Sequence, residues 1–263
     1  MCIAVPDTVE KTVRLIKFLN ENNIKSYFLG NGSNVIFRDE GFDGVIIKSS
    51  GLKGYDISGN KVNVEAGVLM TVLSKAVQEK GLSGLEFCYG IPGNVGGGLF
   101  MNAGAYGGEI SQCLKTVTYI DEQGELHTVN KEDCRYSYRH SLFMSHKWFI
   151  VSAVFELEEK DSIEMLAFME DIMQRRKDKQ PLEKPSAGSS FKRPAGYFAA
   201  ALIDECGLKG LSVGGAQVSE KHAGFIVNTG NATCRDIVRL ADEVSRIVLE
   251  KKGVQLEKEM IIV

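Results

Sequence analysis

Nine of the 28 glycines of this chain lie between Gly84 and Gly108, in the run GLEFCYGIPGNVGGGLFMNAGAYGG. The run has no serine repeats of the kind that mark a flexible linker. Its glycines are interleaved with Ile91, Val95, Leu99, Phe100 and Met101, which favour burial. Glycine is required where the backbone takes a positive φ, or where a ligand must touch the main chain itself. Pro92 sets one turn, and Gly93 beside it suits the next. A buried loop lined by backbone presents N–H donors to phosphate oxygens. A tight irregular connection inside a sheet would also use glycine, but ordinary connections are short and superficial. The stretch therefore predicts a cradle for a large phosphorylated ligand.

The 263 residues suffice for one large domain or two smaller ones. The net charge of −3 argues against a nucleic-acid partner, which requires a basic face. No apolar run is long enough for a membrane span, and MCIAVPDTVEK has neither the basic start nor the apolar centre of a signal peptide. Cys2, Cys88, Cys113, Cys134, Cys206 and Cys234 are scattered without metal-ligand spacing. They read as free thiols of a cytoplasmic protein with no metal site.

Three segments follow from periodicity. In residues 1–50, Asp7 and Glu10 suggest a capping box for a helix through about Asn20. Strands are expected at Tyr27–Leu29, Val35–Phe37 and Val45–Ile47, forming a small α/β unit with its own glycine loop, GNGSN. In residues 51–160, Lys61–Ala66 alternates, Thr71–Glu79 is helical, and Leu114–Ile120 with Glu125–Val129 forms a hairpin. Trp148–Leu157 is a long strand. In residues 161–263, Asp161 and Glu164 open a helix to about Lys179, whose tail and following loop are rich in Arg and Lys. After PSAGSSFKRP come a helix near Phe198–Cys206, a strand Phe225–Asn228 and a helix capped by Thr233 with Asp236. A strand over about Gln255–Ile262 closes the chain.

Glycine loops in two successive segments suit a ligand long enough to bridge them, such as a dinucleotide. The Rossmann pattern fails on context, because Gly30-Asn31-Gly32 is followed by a strand and not a helix. Arg139 in YRHSLF could pair with a carboxylate or form a surface ion pair. Ser189 could present its hydroxyl to a ligand or bond local backbone. His222 is a lone histidine with no triad around it, and so reads as structural. Glu259, among Leu256, Met260, Ile261 and Ile262, could hold its proton in apolar surroundings; an outward strand position fits the pattern equally well.

Taken together and in order, LGNGSN, GLEFCYGIPGNVGGGLFMNAGAYGGEI, YRHSLF, QPLEKPSAGSSFKRP, LIDECGLKGLSVGGAQVSEKHAGFIVN and LEKEM resemble the UDP-N-acetylenolpyruvoylglucosamine reductases, also called UDP-N-acetylmuramate dehydrogenases. The resemblance covers nearly the whole chain. It implies an α+β protein: a two-subdomain FAD-binding fold of the vanillyl-alcohol-oxidase type plus a C-terminal α/β substrate domain. It implies FAD as cofactor, NADPH as co-substrate and a UDP-sugar enolpyruvyl ether as substrate, in a monomer serving peptidoglycan synthesis. Gly30, Asn31, Gly32, Ser33 and Asn34 would bind FAD from the first loop. Gly90, Ile91, Pro92, Gly93, Gly96 and Gly97, and then Asn102, Ala103, Gly104, Ala105, Tyr106 and Gly107, would bind it from the second. By the same resemblance Ser189 is the proton donor, while Arg139 and Glu259 stabilise the enolate-like intermediate. Family members usually carry a further N-terminal segment, so a truncated or misassigned start is expected, with a non-catalytic flavin-binding relative as the alternative. Gly224 stands where the family commonly has asparagine, and the chain resembles the branch without the tyrosine-bearing loop.

Overall fold

The computed structural model describes residues 2–263, and the chain folds as two compact units. One comprises the segment up to Asn31 together with Asp43–Gln174. The other comprises Gly32–Phe42 and Arg175–Val263.

The N-terminal unit begins with a parallel sheet in the order Cys2–Ala4, Val45–Lys48, Ser26–Leu29. Helix Val9–Glu21 makes the crossover and buries Thr12, Ile16 and Leu19. Its cap is Thr8, whose hydroxyl accepts the Lys11 amide at 3.1 Å, and not Asp7. The Asp7 carboxylate instead pairs with the Lys11 ammonium at 2.7 Å. A five-stranded antiparallel sheet follows, in the order Leu126–Asn130, Leu114–Ile120, Phe149–Glu156, Lys61–Glu65, Tyr55–Ser58. Val62, Val64, Val117, Ala153 and Phe155 point from it into one core, as the alternation requires. The two sheets share a second core, in which Ile47 and Leu52 pack with Ile120, Phe149 and Val151. No unit boundary therefore falls at residue 50. Helix Ser162–Lys179 buries Met165, Met169 and Ile172, and Gln78 Nε2 donates to the Ser162 hydroxyl at 2.7 Å. Its first turns thus belong to this unit, and the division runs between Gln174 and Arg175 rather than at 160. Asp161 caps it, accepting the Ile163 and Glu164 amides at 2.8 and 3.0 Å.

The C-terminal unit holds an antiparallel sheet in the order Ser186–Ser189, Phe225–Asn228, Ala216–Val218, Ser212–Val213. Helices Ala199–Glu205 and Cys234–Lys252 bury Leu202, Ile203, Leu240, Val244 and Val248 in its core. The Thr233 and Asp236 capping box forms in both directions, and Gly253 ends the helix at φ 68°. The hairpin of Ser212–Val213 with Ala216–Val218 was not among the expected elements, although its two-residue turn Gly214-Gly215 is a hairpin signal. The expected strand at Val35 forms over Val35–Ile36. It pairs in parallel with Ile261–Ile262 and not with the first sheet. The expected long closing strand shrinks to that pair and a bridge between Phe191 and Lys258.

All six cysteines are free. Burial pushes the Cys113 thiol up to about 12 and the Cys134 thiol up to about 11, so both stay protonated near neutrality. Among the described residues no helix is long and apolar enough to cross a membrane, and no group of three His, Cys, Asp or Glu could hold a metal ion.

Candidate active site

The glycine-rich stretch is not an irregular loop throughout. Val95–Met101 is a helix, capped by Asn94, whose Oδ1 accepts the Gly97 amide at 3.0 Å. The amides of Val95, Gly96 and Gly98 donate to Val68 O, Ala66 O and Asn94 O at 2.8–2.9 Å. Much of the expected supply of free N–H donors is therefore already bonded inside the protein. Several glycines serve close packing instead. A Cβ on Gly96 would stand 2.8 Å from the Ala66 Cβ, and one on Gly98 would stand 2.7 Å from the Met70 sulfur. Gly104 and Gly108 are likewise pressed against neighbouring atoms.

Within the N-terminal unit the two glycine loops meet at their first residues. The Asn31 amide donates to Pro92 O at 2.6 Å. A Cβ on Gly30 would stand 2.6 Å from Asn94 Oδ1. Asn94 is also tied to the buried Ser49, donating to its hydroxyl at 2.8 Å. Asn94 was not among the expected site residues, although an asparagine just before a Val-Gly-Gly helix start is a cap signal.

The far end of the stretch turns on left-handed residues: Asn102 at φ 46°, Tyr106 at φ 51° and Gly107 at φ 90°. Asn102 is fully buried, and its side chain is committed internally. It donates to Ser137 O at 2.9 Å and Glu109 at 3.1 Å, and accepts the Ser111 amide at 3.3 Å. Tyr106 and Gly107 are exposed. Arg139, itself at φ 51°, donates to Gly104 O at 2.9 Å and Asn102 O at 3.4 Å, and its guanidinium lies 5.1 Å from the Tyr138 ring centre. Ser141 in the same motif is buried and donates to Phe100 O at 2.6 Å. YRHSLF therefore braces the glycine stretch through its carbonyls.

The C-terminal unit gathers the other expected residues. The unit boundary falls inside GNGSN, so Gly32, Ser33 and Asn34 belong here. Asn34 Nδ2 donates to Glu259 O at 3.1 Å, and Ser33 O lies near Gly188. Ser189 is exposed at the end of its strand, and Gly188 before it takes φ 72°. Ser190 is 3% exposed, and its hydroxyl accepts the Ile226 amide at 2.9 Å. The Glu259 amide donates to Ser190 O at 2.9 Å, so Ser189 and Glu259 lie on adjoining backbones. Glu259 is half-buried. A cleft of about 200 Å³ in this unit is lined by Val35, Pro185, Ala187, Ser190, Asn228 and Met260, without Ser189 or Glu259. In the basic run, Lys192 pairs with Glu257, and the Arg193 guanidinium lies 4.6 Å from the centre of the Phe198 ring.

Residues 1–130 match the family model described as FAD binding domain, and residues 180–263 match UDP-N-acetylenolpyruvoylglucosamine reductase, C-terminal domain. A UDP-N-acetylenolpyruvoylglucosamine reductase of Clostridium novyi is 46% identical over 258 residues, covering 98% of this chain and 84% of the relative. The protein of that name in Syntrophomonas wolfei is 43% identical, covering 99% and 88%. The crystal structure of UDP-N-acetylenolpyruvylglucosamine reductase from Thermus caldophilus is 35% identical and covers 99% of this chain and 91% of that one, with a TM-score of 0.84.

Proposed function

Because this chain belongs to the family of UDP-N-acetylenolpyruvoylglucosamine reductases, we propose that it binds FAD and uses NADPH to reduce the enolpyruvyl ether of UDP-N-acetylglucosamine, giving UDP-N-acetylmuramate. The observation that carries this reading is identity of 42–46% with enzymes of that name along nearly the whole chain. The reading brings with it a cytoplasmic place in peptidoglycan precursor synthesis.

The residues present suit a flavin dinucleotide. Gly30 and Asn31 meet Asn94 and Pro92 where the two loops join, and Gly104–Gly107 presents main chain at a left-handed turn whose Gly104 carbonyl Arg139 holds. Bound there, FAD supplies the two-electron relay between NADPH and the vinyl ether. Hydride arrives at the methylene carbon of the enolpyruvyl group, and negative charge develops on the neighbouring carbon and its carboxylate. Arg139, and a Glu259 that carries its proton and donates it in a hydrogen bond, are assigned to that charge, which is larger in the transition state than in the substrate. Ser189 then gives its hydroxyl proton to the carbon bearing the carboxylate. The structure suits the serine for this: Ser190 takes the structural bond inside the sheet and leaves Ser189 facing outward. A neutral hydroxyl serves only when held against a strongly basic carbon, so its placement matters more than its acidity.

Protein reconstituted with FAD should have its flavin bleached by NADPH and restored by the enolpyruvyl sugar nucleotide. Ser189→Ala should leave bleaching by NADPH intact and slow the second half-reaction by about 10²–10⁴-fold, the usual worth of a positioned proton donor. Equal losses in both halves would remove Ser189 from this role. A chain that takes up FAD but never turns over would return the alternative of a non-catalytic flavin binder.

A further inference from the structure

His222 has no part in the reaction as assigned above, yet it is bonded into the backbone that carries Ser189 and Glu259. Its turn is tightly closed. The Ser219 hydroxyl accepts the Lys221 and His222 amides at 3.2 and 3.3 Å. The Phe225 amide donates to His222 O at 3.0 Å, and Ser219 N donates to Phe225 O at 2.9 Å. The ring stands edge-on to Phe225 at 4.9 Å, and its Nδ1 accepts the Gly224 amide at 3.1 Å. A nitrogen that accepts carries no proton, so the ring is the neutral Nε2–H tautomer.

Gly224 leaves room for this closure. A Cβ there would stand 3.0 Å from His222 Cε1, 3.2 Å from Nδ1 and 3.3 Å from the Ala200 Cβ. From Gly224 the bonding continues along the main chain. Gly224 O accepts the Ser190 amide at 2.8 Å, and Ser190 O accepts the Glu259 amide at 2.9 Å. Three hydrogen bonds thus link the imidazole to the backbone of Glu259, through the residue next to Ser189.

We propose that His222 is a positioning residue for the reduction: its neutral ring locks the Gly224 amide and, through Ser190, sets both the Ser189 hydroxyl and Glu259, and a proton on Nδ1 releases the lock. The inference rests on the reductase reading. A protonated Nδ1 would point a donor at the Gly224 donor, and the bond would be lost. Burial holds the ring below the usual histidine range against an opposing backbone hydrogen bond at His222, and Lys209 beyond helix Ala199–Glu205 adds a smaller push in the same direction as burial, even though it is paired with Asp204 at 2.7 Å. On the ring's own turn, Lys221 faces Glu183 at 3.9 Å and donates to Lys177 O at 2.5 Å, and Glu220 lies against Gly210. Ala200 is the group that helix Ala199–Glu205 brings against Gly224.

The test compares wild type, His222→Ala and His222→Asn, each loaded with FAD. Asparagine can accept the amide two residues on, as the imidazole does, but does not titrate. In wild type, reoxidation of the flavin by the enolpyruvyl sugar nucleotide should fall on the acid side, below the range of an ordinary imidazole, while bleaching by NADPH stays level. His222→Ala should slow reoxidation by about 10–100-fold at neutral pH and spare bleaching. His222→Asn should recover most of the rate and lose the acid limb. Imidazole NMR, with the His222→Asn spectrum identifying the missing ring, should find Nε2–H at neutral pH. Acid limbs that coincide in wild type and His222→Asn, or an Nδ1–H tautomer, overturn the proposal alone. A protein that binds FAD yet never reoxidises it with this substrate overturns the reductase reading, and the proposal with it.

Discussion

Ser190 accepts the Ile226 amide from inside the sheet, and Ser189 one position earlier faces out. Ser190→Ala would leave that buried amide without a partner, which costs about 1–3 kcal/mol. Urea denaturation should show the loss as a lower midpoint with an unchanged slope, whereas Ser189→Ala should leave the midpoint nearly where it was. His222 makes a second claim at this scale. Burial holds its pKa below the unfolded value of 6.5, so in that window the unfolded chain binds more protons than the folded one. Stability contributed by the neutral ring is therefore present above about pH 6.5 and is lost as pH falls through the folded pKa. His222→Asn should flatten that part of the stability–pH curve, and an unchanged slope would place the titration on another group.

Single elements support sharper comparisons. Helix Val95–Met101 lies so close to Ala66 that an inward methyl on Gly96 meets the Ala66 Cβ at 2.8 Å and its carbonyl oxygen at 3.2 Å. The Gly96 amide is bonded to that same carbonyl, so neither side can retreat. Gly96→Ala should therefore lose about 1–3 kcal/mol to overpacking, more than the roughly 0.5–1 kcal/mol gained by replacing a helical glycine. At Gly98 the methyl meets the sulfur of Met70, a flexible side chain, so Gly98→Ala should be the milder of the two in thermal unfolding. Helix Cys234–Lys252 depends on its reciprocal cap. Thr233→Ala should cost about 1 kcal/mol, read as a lower Tm.

On the scale of the whole molecule, Trp148 is the one tryptophan in the sequence and reports on the N-terminal unit. It is stacked between Tyr119 at 4.3 Å and His146 at 4.0 Å. If the glycine loops of that unit hold FAD, flavin at 100 times its Kd should add about 2.7 kcal/mol and raise the melting temperature seen by Trp148 fluorescence. A melting curve indifferent to flavin would remove the loops from cofactor binding. Much of this architecture was legible in advance, because caps, alternation and turn residues are local signals. Asp161 and the Thr233–Asp236 pair opened their helices as expected, and strands formed over Lys61–Glu65, Leu114–Ile120, Phe149–Glu156 and Phe225–Asn228, within a residue of the expected ends. The ordered motifs likewise led to the family. Contacts between distant segments were not legible. Asn34 meets Glu259 across 225 residues, and Val35–Ile36 pairs with the end of the chain, because a two-residue strand has no periodicity to name its partner. The glycine run concealed a helix, since glycine disfavours helix locally and only the contact with Ala66 makes it the residue that fits. His222 was readable as a lone histidine, and its link to Ser190 and Glu259 exists only once the sheet has formed. The sequence by itself thus determined the local elements, their caps and the family. Tertiary structure alone decided which backbones those residues hold, because hydrogen bonds between remote segments depend on how the chain packs and not on its order.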